Sequence, residues 1–460
     1  MNDTRRLFLQ QAGKGFGMLA LGSLLQGQQI QAAAKAKRII YLFMHGGVSH
    51  VDTFDPKPAL TKFSGQPLPG SFGEGLVTSR IDFRKALMRG SPWNFTRCGN
   101  SGLEISDLYP HLQKHADRLA VVRSCYGDAF DHAPAINLRT SGNQFPGRPS
   151  LGAWAVYGLG SENKNLPSYV VMSDGAMKSG AGAYGSGYLP AVYQGTVFRG
   201  GSKSPVLHLS SPSGVSDATQ KETLSLIDRM NRRHFATREE DSTLEARISS
   251  YELAYRMQSE APDAVDISSE SEATKKLYGI GEPMTDDFGR KCLLARRLVE
   301  KGVRFVQLYQ GTNLGDDWDD AHNDLLGSHN KMAKKSDQPI AGLLSDLESR
   351  GLLNDTLVVW SSEFGRTPLA EGKNGRDHHP YGFSMWMAGA GIQGGRALGA
   401  TDEFGLRAVQ ERKDVHDVHA TILRLMGLDH LKLTYRYQSR DQRLTDVHGQ
   451  NEFTPWLLNA

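Results

Sequence analysis

Cysteine is scarce in this sequence, and its scarcity excludes two kinds of structure. The 460 residues include only three cysteines, Cys98, Cys125 and Cys292. They lie far apart and form no CxxC pair, so they make neither a disulfide framework nor a thiolate metal site. At most one pair could bridge, and we expect buried free thiols instead.

A strong charge imbalance and a long apolar run are missing as well. The formal net charge is only +3, and no basic stripe is interleaved with aromatics, which argues against nucleic acid as a partner. No apolar stretch is long enough to span a bilayer, so we expect no transmembrane segment in the mature chain. The length and the 39% hydrophobic fraction instead fit a globular protein with a large core.

The first residues carry the pattern of an export signal. TRRLFLQ at residues 4–10 matches the twin-arginine pattern, and a mildly apolar stretch (15–25) and three alanines (32–34) follow it. We therefore predict a twin-arginine signal peptide over residues 1–36 and the twin-arginine translocase as the partner during export. The predicted location is periplasmic or extracellular.

Strands and helices are predicted to alternate along the rest of the chain. Apolar runs typical of buried strands lie at residues 37–44, 118–122, 168–172, 304–308 and 356–360. Helical spacing lies at residues 149–158, 216–256, 287–302 and 329–350. This alternation favours βαβ units and a parallel sheet.

The chain shows no internal repeat and no low-complexity linker that would divide it. We therefore predict a single α/β domain over residues 37–460, with a helical insertion at about residues 216–300. Residues 261–271 are acidic and rich in serine, and we expect them to form an exposed connector.

Residues able to bind a metal gather just after the predicted strands. In open α/β sheets, ligands bind at the carboxyl ends of the strands. Carboxylates mixed with imidazoles suit a divalent cation such as Zn, Mn, Ca or Mg better than a thiolate site would. The candidate metal ligands are His45, Asp52, Asp319, His322, Glu363, Asp377, His378 and His379.

Each group also has a purely structural interpretation. Asp52 is a residue typical of turns, and residues 316–320 can form a solvated acidic loop. His132 either contributes to the site or is satisfied locally at the start of a helix. Arg366 either binds an anionic oxygen bidentately or pairs with a carboxylate, Glu363 or Asp377, as a structural clamp. The joint placement at strand ends favours a site.

Taken together, these motifs resemble the DUF1501 proteins, an exported bacterial family grouped with the alkaline phosphatase and sulfatase superfamily. The matching stretches are HGGVSHVDTFDPKP (45–58), FDHAPA (130–135), PGRPSLGAW (146–154), WDDAH (318–322), SSEFGRTP (361–368) and GRDHHPYGFSMWMAGAGI (375–392). The resemblance implies an alkaline-phosphatase-like α/β/α sandwich around a central, mostly parallel sheet. It also implies a metal site at the carboxyl ends of the central strands.

The resemblance fails at the nucleophile. Sulfatases carry a nucleophilic cysteine in Cys-x-Pro-x-Arg, whereas here His132 stands at the cysteine position and Ile136 at the arginine position. The stretch SEFG (362–365) is similar to the sulfatase Ser-Asp-His-Gly, which makes Glu363 a candidate ligand. A histidine in place of the cysteine can be a nucleophile, a general base or a metal ligand. Arg366 would neutralise charge on the transferred group.

Two functions follow from the resemblance. The first is an exported, metal-dependent hydrolase of phosphate or sulfate esters that lacks the sulfatase nucleophile. Its substrate would be an anionic ester, including sulfated or phosphorylated polysaccharides. The second is a catalytically degenerate member that binds an anionic polysaccharide or a protein. The missing cysteine favours the second function, and the dense Asp/His set favours the first.

Overall fold

The computed structural model describes residues 35–70, 72–173, 175, 177–202, 205–206, 214–236, 242–311 and 316–459. The predicted signal peptide therefore lies almost entirely outside the described residues and stays a prediction. Within the described part of the chain, no helix combines the length and the apolar composition needed to cross a membrane.

The strands form one large sheet and several small two-stranded ones. In chain order they are β1 (Arg38–Met44), β2 (Phe95–Cys98), β3 (Leu103–Ser106), β4 (Ala120–Cys125), β5 (Tyr169–Met172), β6 (Thr196–Phe198), β7 (Phe305–Gln310), β8 (Thr356–Ser361), β9 (Gly365–Arg366), β10 (His378–His379), β11 (Phe383–Gly389), β12 (Arg396–Leu398), β13 (Ala400–Thr401), β14 (Ala408–Gln410), β15 (Tyr435–Tyr437) and β16 (Arg440–Gln442). The large sheet has the order β12-β4-β11-β8-β1-β7-β5-β6. All its pairs are parallel except those of β11, which runs antiparallel to β4 and β8.

Helices cover both faces of the sheet. They are α1 (Pro58–Lys62), α2 (His132–Ser141), α3 (Leu151–Leu159), α4 (Asp217–Phe235), α5 (Ser242–Val265), α6 (Glu272–Leu277), α7 (Asp286–Glu300), α8 (Leu325–Ser349), α9 (Val415–Leu425) and α10 (Thr454–Leu458). Successive residues of a strand point to opposite faces. On β1, Ile40 and Leu42 therefore pack with α7 and α8, and Ile39 and Tyr41 pack with α3 and α9. The predicted α/β/α sandwich around a mostly parallel sheet is confirmed.

The register of the central strands brings their polar continuations together. Met44 of β1 lies beside Gln310 of β7, and Phe43 lies beside Ser361 of β8. The three strands therefore end at the same level. Because β11 is antiparallel, it begins at this edge with Phe383, and the segment before it also arrives there.

Two expectations outside the site have clear outcomes. The expected connector at 261–271 is wrong at its start, since α5 continues to Val265 and buries Ala261 and Ala264 in the core. These small apolar residues recur at helical spacing among the acids, and packing outweighs the local charge. The three cysteines are free and buried, as predicted.

Candidate metal centre

Three histidines from separate parts of the chain converge at the carboxyl edge of the sheet. His132 is the first residue of α2, His322 ends a short 3₁₀ turn after β7, and His378 begins β10. Their Nε2 atoms lie 2.9, 3.4 and 3.0 Å, respectively, from Asp319 Oδ1. The Nε2 atoms of His322 and His378 are 2.8 Å apart. We call these four side chains the histidine cluster.

Each imidazole of the cluster has an oxygen acceptor at its Nδ1. The acceptors are Glu363 Oε1, 2.8 Å from His132, Glu371 Oε2 beside His322, and the Phe130 carbonyl, 2.7 Å from His378. A carbonyl or an ionised carboxylate only accepts, so each Nδ1 carries the hydrogen and the neutral ring keeps a bare Nε2. Histidines that bind metals are oriented in this way.

The buried Nε2 of His132 shows that the cluster leaves a polar group unsatisfied. Although it lies 2.9 Å from Asp319 Oδ1, the contact lacks hydrogen-bond geometry, and this nitrogen has no hydrogen-bond partner among the described residues. Such a buried group costs about 1–3 kcal/mol. Ligand atoms on a tetrahedral zinc ion lie roughly 3.3 Å apart. His132, Asp319 and His378 offer ligand atoms that all lie within 4.8 Å of one another, as do His322, Asp377 and His378, so the residues fit a divalent cation.

Glu363 orients His132 from a fully buried position. Its Oε1 also accepts from the Gly46 N–H at 2.8 Å, and its Oε2 accepts from Ser362 Oγ at 3.0 Å. Burial alone would raise the pKa of Glu363, but the hydrogen bond with His132 and the nearby histidines lower it to about 2. Gly46 has a φ of +112°, and a Cβ there would lie 2.5 Å from the Asp319 nitrogen. This turn therefore requires glycine.

Asp319 is held by two cations. Arg366 Nη2 donates to its Oδ1 at 2.8 Å, and Lys178 Nζ donates to its Oδ2 at 2.9 Å. Burial alone would raise the pKa of Asp319, but the three histidines around its Oδ1 and the charge of Arg366 hold that pKa far below its usual range.

Arg366 is completely buried and makes a structural clamp. Its remaining N–H groups donate to backbone carbonyls, including those of Gly47 at 3.0 Å and Arg376 at 3.2 Å. The clamp alternative from the sequence therefore describes Arg366, but its acid partner is Asp319 and neither Glu363 nor Asp377. A guanidinium so enclosed does not reach a substrate.

A cavity of ≈ 200 Å³ opens beside the cluster. It is lined by Arg80, Lys178, Asp317, Asp319, Asp320, His322 and Asn323. Lys178, which also lies 3.5 Å from Asp317 Oδ2, was not identified from the sequence, although it follows β5 by six residues. The orienting acid Glu371 was missed too, and no motif surrounds it.

Three of the four aspartates in the acidic loop of residues 316–320 contact basic side chains. Asp316 contacts Lys331 at 2.7 Å and Lys335 at 2.5 Å, and Asp317 contacts His45 Nδ1 at 3.2 Å. The His45 Nε2 is buried without a hydrogen-bond partner among the described residues, and its ring lies 6.0 Å from that of His132. His45 therefore borders the cluster through His132 and Asp317.

Asp52 lies away from the cluster. Arg376 binds its carboxylate bidentately, with Nε at 2.8 Å and Nη2 at 3.2 Å, and Ser49 Oγ donates to it at 2.5 Å. This buried ion pair joins the first loop to the loop before β10. Because both carboxylate oxygens are used, we leave Asp52 out of the proposed ligand set.

His379 also lies away from the cluster, although it is adjacent to His378. Its Nε2 donates to the Leu406 carbonyl at 2.6 Å, and its ring stacks on His50 at 6.0 Å. The Nε2 of His50 donates in turn to the Gly405 carbonyl at 2.8 Å. We call His50 and His379 the buried pair, and we leave His379 out of the ligand set.

Asp377 supports the cluster from behind. Its Oδ2 accepts from the backbone N–H groups of Arg80 and Ile81 at 2.6 and 3.0 Å, and its Oδ1 accepts from the His378 N–H at 2.8 Å. The Oδ1 atom is 3.9 Å from His322 Nδ1. Asp377 therefore fixes the segment that carries Arg80 beside the cavity.

Comparisons with solved structures find distant similarities that cover most of the chain. A lipoteichoic acid synthase from Listeria monocytogenes shows 9% identity and a TM-score of 0.40, over 92% of this chain and 77% of that one. A magnesium-bound mutant alkaline phosphatase from the Antarctic bacterium TAB5 shows 10% identity and a TM-score of 0.38, over 86% of this chain and 99% of that one. A sulfatase from Pseudoalteromonas sp. shows 12% identity and a TM-score of 0.38, over 89% of this chain and 70% of that one.

No curated protein matches the chain significantly. The model of the family described as "Protein of unknown function (DUF1501)" matches residues 36–452. This match covers nearly the whole region that contains the sheet, the histidine cluster and its supporting residues. The chain therefore belongs to the DUF1501 family, as its motifs predicted.

Proposed function

We propose that the protein is a divalent-metal-dependent hydrolase of phosphate or sulfate esters. The observation that carries the proposal is the convergence of three imidazole Nε2 atoms, each with an acceptor at Nδ1, on one oxygen of Asp319. His132, His322, His378 and Asp319 would hold the ion. Imidazole-rich ligands favour zinc over calcium and magnesium, which prefer oxygen.

The cation and the chain would divide the chemistry between them. When bound, a divalent cation supplies Lewis acidity toward an ester oxygen and toward water. Glu363 and Glu371 keep the imidazoles in the binding tautomer, and Arg366 fixes Asp319. With His132 committed as a ligand, the attack on the ester falls to water. This role accounts for a histidine at the position where sulfatases have a nucleophilic cysteine.

The cations of the cavity favour an anionic substrate. Lys178 and Arg80 line it together with Asp317, Asp319 and Asp320, and a divalent cation held by the histidine cluster would add the positive charge that lets the cavity attract an anion. An ester with a phosphate or sulfate group, including one on a polysaccharide, matches these charges. The predicted export of the protein would place it where such polysaccharides occur.

Metal content and turnover test the proposal together. We expect the purified mature protein to contain a divalent cation, and to hydrolyse an aryl phosphate or an aryl sulfate. A chelator should abolish turnover, and zinc should restore it. If no divalent cation co-purifies or binds, the proposal is wrong. Metal binding without turnover of either ester would favour the binding-module alternative.

Replacing Lys178 tests the anionic substrate. We expect Lys178→Met, assayed at saturating zinc because Lys178 also contacts the proposed ligand Asp319, to raise KM at least about 10-fold, since a positive charge is lost from the cavity. Lys335→Met is the matched control, since Lys335 pairs with Asp316 of the same acidic loop but does not line the cavity. An equal KM in both variants would contradict this role of Lys178.

A further inference from the structure

A second group of metal-ligating side chains lies outside the histidine cluster. Asp414 is the N-cap of α9, His416 is the second residue of that helix, and His448 follows β16. One ligand atom from each lies within 4.8 Å of the other two. We call these three residues the C-terminal triad. We propose that the C-terminal triad binds a divalent transition metal, with zinc as the best match.

The tautomer of His416 supports this proposal. Its Nε2 lies 2.9 Å from the Gly142 carbonyl, which only accepts, so Nε2 carries the hydrogen. The neutral ring therefore has a bare Nδ1, which lies 3.6 Å from Asp414 Oδ1. Two ligand atoms on a tetrahedral zinc ion are roughly 3.3 Å apart. His416 Nδ1 and Asp414 Oδ1 are therefore close to the required spacing before any ion binds.

His448 completes the triad from the exposed side. Its ring lies 4.6 Å from that of His416, at an interplanar angle of 31°. Because His448 is exposed, its side chain can rotate by the small amount that closes the distance to an ion. Asp414 keeps its capping bonds, since an ionised carboxylate has about four lone-pair sites on two oxygens. Imidazoles with one carboxylate suit zinc.

The position of the triad indicates a structural role. Gly142 is the C-cap of α2, whose first residue is His132, so the two sites lie at opposite ends of this helix, about 15 Å in length. About half of residues 429–453 are exposed, and apolar or aromatic side chains such as Leu433, Leu444, Tyr435 and Phe453 anchor the segment. An ion joining His448 to α9 would fasten this segment to the body of the protein.

Zinc titration of the chelator-treated full chain tests the proposal. We expect two bound equivalents in the wild type, and one in both His448→Ala and His378→Ala, because each variant removes a ligand from a different site. His111→Ala, which replaces another exposed histidine, should keep both. Retention of the second equivalent by His448→Ala overturns the proposal. Because His378→Ala keeps the triad, failure of the histidine cluster and failure of the triad are distinguishable.

Hydrogen exchange provides the second readout. Zinc should slow exchange in residues 429–453 of the wild type and of His378→Ala, but not of His448→Ala. Equal protection with and without zinc in the wild type would mean that His416 and His448 only stack, and it would also overturn the proposal. If His448→Ala proves unstable, His448→Gln makes the same test with a polar side chain of similar length.

Discussion

Two neighbouring histidines, His378 and His379, belong to two groups with opposite chemistry. In the histidine cluster, His378 donates through Nδ1 and turns its Nε2 toward Asp319. In the buried pair, His379 donates through Nε2 to a carbonyl and leaves Nδ1 without a hydrogen-bond partner among the described residues. Side chains alternate along a strand, so the two-residue strand β10 sends the rings to opposite sides.

The comparison shows that convergence on an acid, and not the presence of imidazole, distinguishes the proposed metal site from the buried pair. The rings of the buried pair stack 12° from parallel and bind consecutive carbonyls, so they hold the loop at residues 405–406. The rings of the histidine cluster bind separate acceptors and share one carboxylate oxygen. The first arrangement fixes backbone, and the second leaves room for a cation.

Replacing His378 and His379 one at a time should show that the first binds metal and the second stabilises the fold. The loss of metal affinity in the His378 variant is the largest effect we expect. His378→Ala should lower metal affinity more than about 100-fold, since it removes a ligand. His379→Ala should keep the metal but lower the free energy of unfolding by about 2–4 kcal/mol, through a lost buried side chain and hydrogen bond. Elemental analysis and urea unfolding measure the two effects. Equal metal loss in both variants would contradict the division of these histidines between a metal-binding cluster and a structural pair.

The pH dependence of stability should sharpen the contrast. Burial lowers the pKa of His50 and of His379 to about 3, whereas an unfolded histidine titrates near 6.5. Between these values the unfolded state binds more protons, so the free energy of unfolding falls as the pH drops below 6.5. The loss should reach about 2 kcal/mol for each histidine at pH 5.

Urea unfolding of the chelator-treated protein at pH 7 and pH 5 measures this loss. Chelation removes the contribution of bound metal, so the buried histidines dominate the difference. His379→Gln should have a smaller difference between the two pH values than the wild type, because one titrating group is gone. A wild-type stability that does not change between pH 7 and pH 5 would contradict the assigned state of the buried pair.

The orienting acids should produce the smallest effect. Glu363→Gln and Glu371→Gln should each weaken metal binding about 10-fold, because an amide oxygen accepts a hydrogen bond more weakly than a carboxylate. Glu348→Gln, a change in an exposed acid paired with Arg118, is the control. Competition with a chromophoric chelator measures the affinities. Unchanged affinity in both variants would mean that tautomer control does not matter in the cluster.

Much of the candidate site was identified from the sequence by looking for polar residues just after each predicted strand. This worked because the carboxyl ends of the central strands lie side by side at one edge of the sheet. Asp319, His322 and Glu363 follow parallel strands, and His132 follows β4. The same rule applied to β5 would have pointed to Lys178. It could not find Glu371, which reaches His322 from a loop without a recognisable pattern. Nor did the sequence separate His378 from His379, since β10 is too short to show alternation.

The sequence predicted the fold more completely than it predicted the hydrogen-bond and ion-pair partners of individual side chains. Apolar runs and helical spacing predicted the βαβ units and the parallel sheet, because burial of whole faces dominates the free energy of folding, and the family resemblance implied the sandwich. Whether a charged side chain turns to an ion, a carbonyl or another side chain depends on contacts across hundreds of residues. Arg366 illustrates this dependence, since its acid partner Asp319 lies 47 positions away in the sequence, whereas the candidates from the sequence were the nearby Glu363 and Asp377.

The pairing of the acidic loop has an electrostatic consequence for association. Four aspartates lie within residues 316–320, yet the lysines on α8, His45, Lys178 and Arg366 surround three of them. Asp320, the fourth, lines the cavity beside Lys178 and Arg80, which are themselves paired with Asp319 and Glu371. The proposed divalent cation would therefore supply the net positive field that an incoming anion meets, and the rate of encounter with the metal-loaded protein should rise as ionic strength falls.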